Sequence, residues 1–108
     1  MKVTTITRFL LVLALSINAW AAGSAKDGQE VYDKACKSCH GADGGANPAI
    51  AKLMKVEMRA LGSAEVQAQP DAKIADIIKS GTGKMKPVSS VSGKQIDDVV
   101  AFVRTLKK

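Results

Sequence analysis

Cys36-Lys37-Ser38-Cys39-His40 gathers both cysteines and the single histidine of a 108-residue chain into one short run. On a helix Cys36, Cys39 and His40 stand at i, i+3 and i+4, so all three project from one face. C-x-x-C-H is the spacing by which a haem is attached: two sulfurs bond the porphyrin's vinyl carbons along one edge while the imidazole rises beneath the iron. A structural zinc site wants four Cys or His ligands. The chain offers three, and no carboxylate with matching spacing completes the set. A thioredoxin-like redox pair is the stronger competitor, but it is expected in a βαβ context and no alternating strand pattern is present.

Iron held by His40 keeps a sixth coordination position. Met54 and Met58 lie at i, i+4 within an apolar stripe, where a methionine ordinarily fills core. Met85 sits instead in Gly81-Thr82-Gly83-Lys84-Met85-Lys86-Pro87, a loop with no periodicity to explain a buried thioether. Met85 is therefore the expected second axial ligand. With both axial positions taken by protein, oxygen and peroxide have poor access and the methionine raises the potential. One-electron transfer is the chemistry that remains.

These residues need short helices to position them. Asp27 and Glu30 form a capping-box pair that opens a helix running toward Cys39. Gly41 to Pro48 reads as a loop. Ile50 to Leu61 reads as a second helix, with Leu53, Met54, Met58 and Leu61 on one face and Lys52, Lys55 and Arg59 off it. Asp71 caps a third, with Ile74, Ile77 and Ile78 on its apolar side and Gly81 ending it. Ser92 and Gln95 form another capping box before a stripe of Ile96, Val99, Val100, Val103 and Leu106. The expected class is all-α, four short helices and two functional loops.

The N-terminus reads separately. Lys2 and Arg8 precede an apolar run from Phe9 to Ile17, and Ala19-Trp20-Ala21 supplies small residues where a signal peptidase reads. Interrupted by Ser16 and Asn18, the run falls short of the roughly 20 apolar residues of a membrane span. Residues 1–21 are expected to be a cleaved secretory signal, and residues 22–108 the mature domain. The full chain has net charge +6, and losing Lys2 and Arg8 with the leader brings it to +4. Of the aromatics, only Tyr32 and Phe102 stay in the mature domain. That is little for a core, and a flat, covalently fixed hydrophobe against which Val, Ile, Leu and Met side chains pack would supply the missing body.

The motif, the methionine loop and this helix order resemble class I c-type cytochromes, small single-haem electron carriers of the bacterial periplasm, from Asp27 to Leu106. The resemblance implies a cytochrome c fold in which the N- and C-terminal helices cross around one haem c. Gly28 and Tyr32 on one side, with Val99 and Phe102 on the other, match the family's crossing. Pro48 matches the proline whose carbonyl accepts a hydrogen bond from the axial imidazole, fixing the ring. Two departures stand out. No tryptophan remains to bond a haem propionate, so Lys52, Lys55, Arg59 or loop amides take that part, and the Met54 to Gln69 stretch matches nothing in the family pattern.

The resemblance further implies a non-enzymatic, monomeric carrier between a membrane quinol oxidoreductase and a terminal oxidase or reductase. Lys34, Lys37, Lys84 and Lys86 would surround the exposed haem edge and steer an acidic redox partner. Export and the modest mature charge argue against nucleic acid. The alternative is a haem-based gas sensor or peroxidase-like protein in which Met85 leaves the iron.

Overall fold

Ser24, and not Asp27, opens the first helix. In the computed structural model, which describes residues 23–108, the Ser24 hydroxyl accepts from the Asp27 amide at 3.2 Å. The expected leader lies outside the described residues. Ser24 prevails because its own backbone N–H is anchored, donating to the Asp98 carboxylate at 2.8 Å. Asp27 instead sits in the first turn, where its charge complements the helix dipole.

From this start the described residues form α1 (Ala25–Ala35), α2 (Lys37–His40), α3 (Pro48–Met54), α4 (Ala64–Gln67), α5 (Asp71–Ser80) and α6 (Lys94–Thr105). Among them there is no strand, only one isolated backbone bridge between Thr82 and Met85. No helix among them is long and apolar enough to cross a membrane. The all-α expectation holds, with two single-turn helices, α2 and α4, added to the four foreseen.

The second helix is the main correction. Asn47 caps it, accepting from the Ala49 amide at 3.1 Å, with Pro48 in the first turn. It stops at Met54 and not at Leu61, because Lys55 turns left-handed at φ 54° and ψ 48°. The Val56 amide then reaches the Ala51 carbonyl at 3.0 Å and the Lys55 amide the Lys52 carbonyl at 3.2 Å. This is a Schellman closure made without glycine. Met54 and Met58 consequently share no helix face, and Leu53 is 75% exposed.

α5 and α6 follow the expected patterns more closely. Asp71 is the first residue of α5, but its carboxylate binds Arg104 of α6 and makes no cap. At α6 half the capping box forms, the Ser92 amide donating to the Gln95 side chain at 3.4 Å. Ile74 and Ile78 of α5 pack with Ile96, Val99, Val100 and Val103 of α6 and with Val91 as the buried core.

α1 and α6 make the most extensive helix contact among the described residues. Gly28 permits it: a Cβ there would overlap the Asp98 carbonyl oxygen and meet the Val99 nitrogen at 3.0 Å. Tyr32 and Phe102 then stack one turn further on, ring centroids 4.9 Å apart and planes tilted by 54°. Asp98, at 4% exposure, completes the junction. Burial alone would raise its carboxyl, but the Ser24 N–H and the Lys94 ammonium outweigh that and hold it below the usual carboxylate range.

Gly28→Ala is expected to cost about 3 kcal/mol or more, since backbone and not a flexible side chain must move; urea denaturation followed by circular dichroism measures it. Tyr32 gives a pH-dependent test. Burial, with Cys36, Asp43 and Asp33 adding, pushes its hydroxyl from 10.0 up to about 12. A raised acid favours its neutral form in the fold, so this contribution is full below pH 10 and fades as pH rises toward 12. Tyr32→Phe should lose roughly 1–3 kcal/mol at neutral pH, and its stability should fall less steeply than the parent's across that alkaline interval.

Candidate haem-binding cleft

Tyr32 links the helix crossing to the chemistry. Fully buried, it donates its hydroxyl proton to the Gly41 carbonyl at 2.6 Å, fixing the backbone immediately after His40. Cys36 ends α1, and its carbonyl accepts from both Cys39 and His40 amides, at 3.2 and 3.0 Å. The i, i+3, i+4 spacing of the three side chains thus survives the break between α1 and α2. The following loop folds back and clasps the same turn, the Ala46 amide donating to the His40 carbonyl and the Asn47 amide to the Cys39 carbonyl, both at 2.9 Å.

Both cysteines are free thiols. Burial, with Cys39 nearby, pushes the Cys36 thiol up to about 11, so it stays protonated at neutral pH. Burial also holds His40 below its ordinary value, leaving a neutral imidazole with a lone pair to donate. The Nδ1 atom of that ring is buried without a partner. The bond expected from it to Pro48 is not made. Pro48 lies in the first turn of α3, where its carbonyl is directed along the helix axis toward intrahelical donors.

Met85 reaches the same space from the other side. Its backbone and that of Thr82 exchange both hydrogen bonds, at 2.9 and 3.0 Å, across the tight turn at Gly83-Lys84. Gly81, at φ 75°, has to be glycine, since a Cβ would strike the Met85 carbonyl and crowd Pro87. Lys84 crosses to α3 and donates to the Met54 carbonyl at 2.6 Å, so this member of the expected lysine collar also tethers the loop. The Val88 amide ties the far side of the loop to the Ile78 carbonyl at 2.9 Å.

Between these walls lies a cleft with two lobes of about 840 and 710 Å³, each within the range of small-molecule sites. Cys36, His40, Met58 and Met85 line both lobes, whereas Cys39 and Met54 line only the smaller. Ile74, Ile77, Ile78, Val99 and Val103 form the apolar wall of the larger. Ile77 accordingly stays only half-buried on an otherwise core-facing helix. A flat macrocycle fits the residues present: two thiols and a neutral imidazole on one side, thioethers on the other, and aliphatic side chains for its faces.

Cys36, Cys39, His40 and Met85, the residues singled out in the sequence, all line the smaller lobe. Sequence reasoning missed the residues that hold the walls. Arg104 donates to Asp71 and to the Gln67 carbonyl, each at 2.8 Å, joining α6 to α5 and α4. Gln67 spans the Leu61 and Val103 carbonyls, at 2.9 and 3.0 Å. Asp98 anchors Ser24. Only Ser63, which caps α4 by accepting from the Val66 amide at 3.4 Å, left a local signal that could have been read.

The family profile described as cytochrome c oxidase, cbb3-type, subunit III matches residues 23–103. Among solved structures, the KustC0563 c-type cytochrome is 33% identical, with 76% of this chain and 99% of that one covered at a TM-score of 0.65. Cytochrome cL from the marine methylotrophic bacterium Methylophaga aminisulfidivorans is 23% identical at a TM-score of 0.58, covering 77% of this chain and 53% of its own, a likeness of fold. No curated protein sequence matches the chain. With its fold, its thiol pair and most of its length accounted for in this way, the chain belongs to the cytochrome c oxidase, cbb3-type, subunit III family of small c-type cytochromes, whose members bind haem c covalently and carry electrons.

Proposed function

We propose that the chain is an exported periplasmic electron carrier whose haem is bound through Cys36 and Cys39, with His40 and Met85 as axial ligands. The observation that carries this reading is the convergence of a neutral imidazole and a loop-fixed thioether on one apolar cleft whose rim holds two free thiols. When bound, haem supplies a one-electron ferric/ferrous couple. The chain does the rest. Cys36 and Cys39 fix the macrocycle's edge, and the Tyr32–Gly41 bond and the Ala46–His40 bond hold the imidazole's backbone against displacement. The isoleucine and valine wall excludes water, which would otherwise compete for the position Met85 takes.

Met85 is preferred to Met58, although both line the two lobes, because Met85 is locked by the Thr82 pairing and the Lys84 tether. Residues 56–60 form no helix and give Met58 no comparable support. Residues 1–21 serve as the export signal, leaving residues 22–108 as the working domain. Its redox partners are respiratory donors and acceptors with acidic surfaces, steered by Lys34, Lys37, Lys84 and Lys86, all exposed.

Met85→Ala should keep covalent colour, bind carbon monoxide rapidly when reduced, and lower the potential by roughly 0.1 V or more within the ~0.8 V span that axial ligands command. Met58→Ala should do none of these. Reversed behaviour of the two variants transfers the ligand role to Met58, and fast carbon monoxide binding by the parent protein favours the sensor alternative. Replacing Cys36 and Cys39 together by Ala should remove the tetrapyrrole mass from the exported polypeptide and most helical circular dichroism, since a domain this small then lacks its core.

A further inference from the structure

The macrocycle's two carboxylates lie on the edge remote from the vinyl carbons, and an ionised carboxylate in an apolar cleft needs a charged or hydrogen-bonding partner. Cys39 lines only the smaller lobe and Cys36 lines both, so a receptor for the remote edge has to be reachable from either lobe. Lys52 and Lys55, expected candidates for this part, line neither lobe. Of the cationic side chains that do, Lys84 and Lys86 stand on the smaller lobe beside Met85, and Lys84 is committed to the Met54 carbonyl. Lys73 lines the larger lobe, and Arg59 alone lines both.

Arg59 is also the best-prepared donor. Its Nε pairs with the Glu65 carboxylate at 2.9 Å, which orients the side chain, and its two terminal nitrogens make no bond among the described residues. Those form the planar fork that binds a second carboxylate. Both partners of the pair are largely exposed, 71% and 64%, so the pair contributes little to folding. Along the same segment the backbone N–H groups of Glu57, Met58, Arg59 and Ala60 donate to no protein acceptor among the described residues. Glu57 and Glu65 also line the larger lobe, and Arg59 offsets part of their negative charge there.

We propose that Arg59, oriented by Glu65 and backed by the free amides of residues 57–60, is the receptor for a propionate carboxylate of the bound haem. The assignment rests on the haem attachment proposed above. It gives the segment between α3 and α4 a role in seating the cofactor.

The test uses holoprotein whose haem carries 13C at the propionate carboxyl carbons, followed by NMR of the reduced, diamagnetic form across a pH titration. Arg59→Gln should raise the proton affinity of one labelled carboxyl about tenfold or more, and Arg59→Lys should restore part of the difference. Lys73→Gln should leave that resonance close to its parent titration. Unchanged titrations in Arg59→Gln, or a shift produced by Lys73→Gln in its place, overturn the assignment while leaving the haem attached. A polypeptide that mass analysis finds without tetrapyrrole overturns the attachment itself and this assignment with it.

Discussion

The contact between Gly28 and the backbone of Asp98 and Val99 sets the distance between the first and last helices, and the rest of the site inherits that distance. With the helices this close, Tyr32 can lie on Phe102 while its hydroxyl still reaches the Gly41 carbonyl at 2.6 Å. That bond holds the turn carrying His40. A side chain at position 28 would separate the helices, retract the tyrosine and free the backbone at His40, so a packing constraint at the helix crossing becomes a constraint on the geometry of the cleft. Asp98 strengthens the same junction from beneath by holding Ser24 and Lys94.

A second consequence follows from what the chain does not contain. Its described core is aliphatic and lies mainly between α5 and α6, and the space enclosed with α1 and the methionine loop is left for a body the sequence does not encode. Ile77 and the cleft-facing sides of Val99 and Val103 become fully useful apolar surface only when that body is present. Folding and cofactor retention are therefore coupled in this domain, as they are in small metalloproteins whose binding energy is folding energy.

Local chemistry was legible in the sequence, and long-range chemistry was not. Cys36, Cys39 and His40 are adjacent in the chain, Met85 stands in a short glycine-bounded loop, and the α6 stripe has a helical period, so each could be read from its neighbours. The end of α3 could not, because Lys55 adopts a left-handed conformation with none of the composition cues that glycine gives. An apolar spacing continued past that point and suggested a longer helix, whereas Leu53 points to solvent. Asp27, with Glu30, reads as the cap of α1, yet Ser24 takes that place. The choice between them was made by Asp98, 74 residues away in the chain. Arg104 and Gln67 were hidden for the same reason, their acceptors being carbonyls that only the folded chain brings near.

The Lys84 tether joins the methionine loop to the C-terminal end of α3, where carbonyls carry the negative end of the helix dipole and welcome a cation. The loop and the helix end are thereby one mechanical unit. Moving the loop backbone that carries Met85 away from the cleft breaks that ammonium contact or unwinds the last turn of α3 with it. Acetylation of Lys84, which removes the positive charge, would thus loosen the loop that carries Met85.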